Sequence, residues 1–105
     1  MKNWIIFFLK FIFLLKKKNK GIFDYDDIKK NKIGKGYSTY YDSEAQGAWV
    51  YSPTEKIMIS YDSPQVILDK VQYVNEYNYG GIFFWDLSGD REGELYKIMY
   101  DNLNQ

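Results

Sequence analysis

Trp85 and Asp86 close a short apolar run, Gly80-Gly81-Ile82-Phe83-Phe84, and Ser88-Gly89-Asp90 follows them as a turn. The run has no polar alternation, the pattern of a strand buried on both faces in a parallel sheet covered by helices. In barrels and open α/β sheets, chemistry collects at the carboxyl ends of strands. Trp85 is therefore the first candidate for a ligand contact, with Asp86 beside it. The competing reading is that Trp85 packs a core, the commoner use of Trp. Trp49 and Tyr61 are the other aromatic candidates, each in a strand-like segment. Such rings either stack on sugars and other flat ligands or pack across strands, and strand packing is the usual case.

Composition narrows the chemistry. The 105 residues contain no His and no Cys. That removes the usual general base, the triad partner, thiolate nucleophiles, disulfides and zinc–sulfur sites, so acid–base work would fall to Asp, Glu, Tyr or Lys. No cofactor is expected. Asp24, Asp26 and Asp27 cluster around Tyr25, but they lack the ligand alternation and closing Glu of a calcium loop. A solvated helix start fits them better, since Asp favours the first turn. Lys+Arg and Asp+Glu balance at 14 each, so no overall field argues for nucleic acid. The aromatic share is 20%, with 11 Tyr.

The elements that must position these residues follow from the pattern. A short helix is expected to open at Asp24–Asp27 and to run through Ile28 and Lys29, with Lys29 to Lys35 as a basic, Gly-punctuated loop. Tyr37 to Tyr41, Ala48 to Tyr51 and Lys56 to Tyr61 read as strands. The last two form a hairpin around Ser52-Pro53-Thr54-Glu55, where Pro presets the turn angle. On it Trp49 and Tyr51 share one face of the first strand, while Ile57, Ile59 and Tyr61 share one face of the second. Ser63-Pro64 is a helix start, a hydroxyl cap followed by Pro where no amide donor is needed. Ile67, Val71 and Val74 give that helix its apolar stripe, ending near Asn78. Gly80 and Gly81 are expected to mark a tight turn into the apolar strand. A last helix from Gly93 carries Leu95, Ile98, Met99 and Leu103 on one face. Helix, buried strand, helix implies a parallel α/β sheet, and one strand cannot satisfy its backbone groups alone.

Residues 1–20 read differently. Residues 4–15 are almost wholly apolar and Lys16-Lys17-Lys18-Asn19-Lys20 follows. The run is short for a membrane span. It suits a signal-like leader, an uncleaved anchor with a basic flank, or a start foreign to the fold; a buried helix is weaker, because nothing polar divides it into two faces.

From Gly36 to Leu103 the chain resembles the carboxyl-terminal end of glycoside hydrolase family 18, the chitinase family, and its bacterial-type members in particular. The pieces that carry the resemblance are Gly36-Tyr37-Ser38-Thr39-Tyr40-Tyr41-Asp42, Ile59-Ser60-Tyr61-Asp62-Ser63-Pro64, Lys70-Val71-Gln72-Tyr73-Val74 and Gly80 through Asp90, in family order and spacing. The resemblance implies an α/β fold: the C-terminal fragment of a (β/α)8 TIM barrel plus part of its α+β insertion subdomain. Residues 21–60 would belong to the insertion, and 61–105 to the last helix–strand–helix unit. Trp85 would match the family's Trp beneath the sugar being cleaved, with Asp86, Tyr61 and Trp49 as further substrate contacts. The implied ligand is chitin or an N-acetylglucosamine oligosaccharide, and the implied location is extracellular or, through residues 4–15, membrane-associated.

One departure is large. The family's Asp-x-x-Asp-x-Asp-x-Glu run, whose Glu is the general acid of a substrate-assisted mechanism, does not occur here, and Asp24-Tyr25-Asp26-Asp27 has no Glu where it is required. The chain alone is therefore expected not to catalyse hydrolysis and to need the remainder of a barrel for a complete site. The rival readings are a small carbohydrate-binding module using Trp49, Tyr51 and Trp85, and a membrane-tethered interaction protein.

Overall fold

The computed structural model describes residues 3–9 as backbone and residues 23–84 and 87–103 with their side chains. Two sheets organise them. Strands β1 (Asn3–Leu9) and β5 (Tyr79–Phe84) pair in parallel, with Ile6 opposite Gly81 and Leu9 opposite Phe84. Strands β2 (Ser38–Asp42), β3 (Gly47–Ser52) and β4 (Ile57–Tyr61) form an antiparallel meander. Helix α1 (Tyr25–Asn31) precedes the meander; α2 (Pro64–Glu76) and α3 (Glu94–Asn102) flank β5 in sequence.

The parallel partner of β5 is the main difference from the sequence-based expectation. Residues 3–9 form a strand, where leader, anchor, foreign start or helix was expected of that stretch. The remainder of the apolar run and the lysine cluster lie outside the described residues. A short apolar run without alternation suits a parallel strand, but the expectation that β5 is buried on both faces is not met: Phe83 is exposed and the rest of the strand is half-buried, because only one face of β5 packs on the core. Parallel strands need a long crossover between them, and here it contains α2. Among the described residues no helix is long and apolar enough to cross a membrane.

Local chemistry sets the element ends. Asp24 caps α1, its Oδ1 accepting from the Asp27 amide at 2.8 Å. The helix extends to Asn31, so the basic stretch expected as loop is helical over its first part. Ser63 caps α2 through the Val66 amide at 3.3 Å, with Pro64 in the first turn. In the β3–β4 turn the Ser52 carbonyl accepts from Lys56 N at 2.7 Å and Ser52 Oγ accepts from Glu55 N at 3.1 Å. The chain turns into β5 at Asn78, whose φ is 54°, and Gly80 and Gly81 lie inside the strand. Asn adopts left-handed backbone more readily than other side chains do, so the expected glycine turn is made two residues earlier.

One core joins these pieces. Ile28 of α1, Val50 and Ile59 of the meander, Ile67 and Val71 of α2, and Leu95 of α3 are all fully buried in it. Ile82 and Phe84 pack against the same core from β5, while Phe83 lies on the opposite face of that strand and is exposed. Buried Asp69 on α2 accepts from Tyr41 Oη on the edge strand β2 and from Gln65 Nε2 at 2.9 Å, which fastens the meander to α2.

Candidate functional site

The carboxyl end of β5 is the place where the sequence puts its chemistry. Phe84 is the last residue of the strand, and Tyr96 of α3 meets its ring edge-on at 6.2 Å and 86°. Trp85 and Asp86 come next in the chain and lie outside the described residues. The following residues, Leu87–Gly89, form a single 3-10 turn. Asp90 is buried behind it, and its Oδ2 accepts from the Tyr96 amide at 2.9 Å. That contact replaces the helix cap that Gly93, with φ 72° and no side chain, cannot supply.

A polar latch holds this turn against α1. Asp26 is only 2% exposed, and its Oδ2 accepts from the Arg91 amide at 2.8 Å and pairs with Arg91 Nε at 3.1 Å. Arg91 Nη1 also donates to the Ser88 carbonyl at 2.8 Å and reaches Asp24 Oδ2 at 3.4 Å. Gly89 lies so close to Asp24 that an added Cβ would come within 2.9 Å of the Asp24 Cβ. Tyr25 donates to Glu94, which also accepts from Lys29 Nζ at 2.7 Å. Lys29 lies foremost among the groups that hold the Glu94 carboxyl below its usual range, with Tyr25 second. Burial, then the Glu94 contact, pushes the Tyr25 phenol up. The three aspartates that suggested a calcium loop are thus a helix cap, a partner of Arg91 and, for Asp27, an acceptor from Asn31 Nδ2 at 2.7 Å.

Tyr61 and Trp49 lie on opposite faces of the meander. Tyr61 pairs with Ala48 across β3–β4, is 8% exposed, and stacks on Tyr25 at 6.4 Å and 19° within the core. Burial raises its phenol above the ordinary value. Trp49 is half-buried on the outer face, opposite Tyr40 across β2–β3, and the two rings stack at 5.6 Å and 11°. Asp62, next to Tyr61, is buried and bound to Lys70 Nζ at 2.8 Å; burial raises its carboxyl and Lys70 partly offsets the rise. Sequence reasoning missed Arg91, Tyr25, Glu94 and Tyr40. Arg91 pairs with acids 65 and 67 positions earlier, and no local pattern links them.

Residues 10–90 match the sequence model of Glycosyl hydrolases family 18. The chain belongs to that family. Chitinase A of Pseudoalteromonas piscicida is 37% identical over 89 residues, which are 79% of this chain and 11% of that protein. Chitinase A1 of Niallia circulans is 38% identical over 76 residues, 71% of this chain and 11% of that protein. This chain therefore spans about a tenth of the length of these curated relatives. Among solved structures, a family 18 chitinase from Cycas revoluta in complex with (GlcNAc)3 superposes with a TM-score of 0.78 at 26% identity, covering 92% of this chain and 32% of that one. The chitinase ChiW from Paenibacillus superposes with a TM-score of 0.78 at 25% identity, over 93% of this chain and 14% of that one. The family 18 fold is the TIM barrel; in this chain β1 and β5 pair in parallel, and α1, the meander and α2 lie in the crossover between them.

Proposed function

We propose that this chain supplies the sugar-contacting end of a chitinase-type site without the proton donor. In this reading β1–α2–β5 and α3 are the last strands and helices of the family 18 barrel, α1 and the meander belong to its insertion, and Trp85 with Asp86 meets an N-acetylglucosamine unit. The observation that carries it is the latch. Arg91 ties the turn after β5 to two aspartates at the start of α1, so the described residues on either side of Trp85 and Asp86 are held, Phe84 in β5 and Ser88 to Arg91 in the latch. Sites need such support to hold ligand-contacting groups in place. Trp49 is a second sugar contact, on the insertion; Tyr61, stacked in the core on Tyr25, acts through the packing of α1.

The missing acid follows from the five glutamates. Glu44 and Glu92 have Asp two residues before them, but Tyr40 and Ser88 stand where the family run needs the next Asp. Glu55 and Glu76 have no Asp two residues before them, and neither does Glu94. Glu94 is moreover held in its ionised form by Lys29, the opposite of what a general acid requires. Asp62 is the carboxyl pushed upward, and it is buried on Lys70. A complete active site would therefore draw its acid from further strands of the barrel.

Titrating the chain with chitotetraose tests this. Calorimetry is expected to show binding for the wild type, and Trp85→Ala is expected to weaken it about tenfold or more, as loss of a buried aromatic contact does. Equal affinity for the wild type and Trp85→Ala overturns the assignment.

A further inference from the structure

Among the described residues, the meander has one edge strand that is open along its whole length. β2 pairs only with β3, and all five of its residues, Ser38 to Asp42, are exposed. That leaves its outer row of N–H and C=O groups without a strand partner among them. Natural sheets ordinarily blunt such an edge with Lys, Pro or a bulge. β2 has none of these. Its sequence is Ser-Thr-Tyr-Tyr-Asp, and its register against β3 runs unbroken from Ser38 opposite Tyr51 to Asp42 opposite Gly47. The other edge of the meander differs. β4 keeps Ile59 and Tyr61 buried and runs straight into Asp62, which is tied to Lys70 of α2.

The side chains along this edge are self-complementary. Turned about a two-fold axis through Tyr40, β2 meets a second β2 antiparallel, with Ser38 opposite Asp42, Thr39 opposite Tyr41 and Tyr40 opposite itself. This register overlaps the whole strand and keeps Ser38, Tyr40 and Asp42 on one face of the sheet in both copies, with Thr39 and Tyr41 on the other. Asp42 is the one charged residue of β2, and it falls opposite a serine hydroxyl instead of another carboxylate. Like charges directly opposite oppose pairing, whereas aromatic and hydroxyl pairs favour it. Tyr40 is already held by stacking on Trp49, and Tyr41 by its hydrogen bond to Asp69, so both lose little freedom on association. We propose that β2 is an interaction surface for a second copy of this chain, which adds its own β2 edge to edge and joins the two three-stranded meanders into one continuous antiparallel sheet. The same strand serves on both sides, so the pairing closes at two chains. So short an edge buries less than the about 800 Å² per partner of a standard interface, and the dimer is accordingly weak, with a dissociation constant on the order of 100 μM. The pairing leaves the end of β5 untouched and stands or falls apart from the function proposed above.

Sedimentation equilibrium of the full chain between about 10 μM and about 1 mM tests this. The wild type is expected to pass from monomer to dimer across that range. Ser38→Asp sets a carboxylate against Asp42 twice per dimer and is expected to weaken association about tenfold. Ser38→Lys sets an ammonium there and is expected to tighten it by about as much, a gain that loss of folding cannot produce. Ser38→Asp combined with Asp42→Ser exchanges the two positions and leaves a hydroxyl to accept from the turn after β2, so it is expected to associate like the wild type. Thr54→Asp adds the same charge at an exposed position in the β3–β4 turn and is expected to change nothing. A wild type that stays monomeric at about 1 mM overturns the proposal. Association that ignores the charge at position 38 also overturns it, because the contact then lies elsewhere, and so does assembly beyond two chains.

Discussion

Gly89 and Glu94 show how single residues hold the end of β5. Gly89 has a packing reason to be glycine: a methyl group there meets Asp24 Cβ at 2.9 Å. Gly89→Ala is expected to separate the turn from α1, lowering stability by about 1–3 kcal/mol, the usual cost of overpacking. Thermal or denaturant unfolding measures it, and an unchanged midpoint contradicts the close contact. Glu94 links Tyr25 and Lys29 across the same interface. A carboxyl depressed in the fold favours folding above its ordinary value of 4.5, and that contribution is lost as pH falls through the depressed value. Between about pH 6 and about pH 3 the wild type should therefore lose more stability than Glu94→Gln. Denaturation curves across that range check the difference, and parallel losses in the two proteins contradict it.

At the scale of elements, the meander and the two long helices were legible because each has a complete local code. Ser63-Pro64 starts α2, Pro53 presets the β3–β4 turn, and Leu95 and Met99 face inward on α3 as their spacing requires. Two things were not legible. Strand β1 lies in an apolar run whose basic flank suggested a leader or anchor, and its partner β5 is 75 residues away in sequence, Ile6 lying opposite Gly81. Periodicity marks burial, not the partner that provides it. The second is the orientation of the meander's aromatics. The alternation separated Trp49 from Val50, but only the strand register puts Tyr61 beside Ala48 in the core and Tyr40 beside Trp49 outside it. Ile59 is fully buried and central in β4, in the core to which α1, the meander and α2 all contribute. Ile59→Ala is expected to cost about 2–5 kcal/mol by cavity formation, read from urea unfolding. A loss under about 1 kcal/mol would mean that the sheet closes on the gap independently of the helices.

For the whole molecule, residues 10–90 fix the family and the proposal turns on the proton donor. The chain shares the family 18 fold, and its relatives include chitinases many times its length. Among its described carboxylates, Asp24 caps α1, Asp26 holds Arg91, Asp62 pairs with Lys70 and Asp90 accepts from the Tyr96 amide. In the reading proposed above, the proton donor comes from outside these carboxylates. In β5, Ile82 and Phe84 pack on the core that α2 and α3 share, and Phe83 lies on the other face of the strand. The direct measurement is turnover of a chromogenic chitooligosaccharide by the purified chain, run beside binding of the unlabelled oligomer. Binding with no released chromophore is the predicted result. Chromophore release that scales with the concentration of this chain would contradict the account.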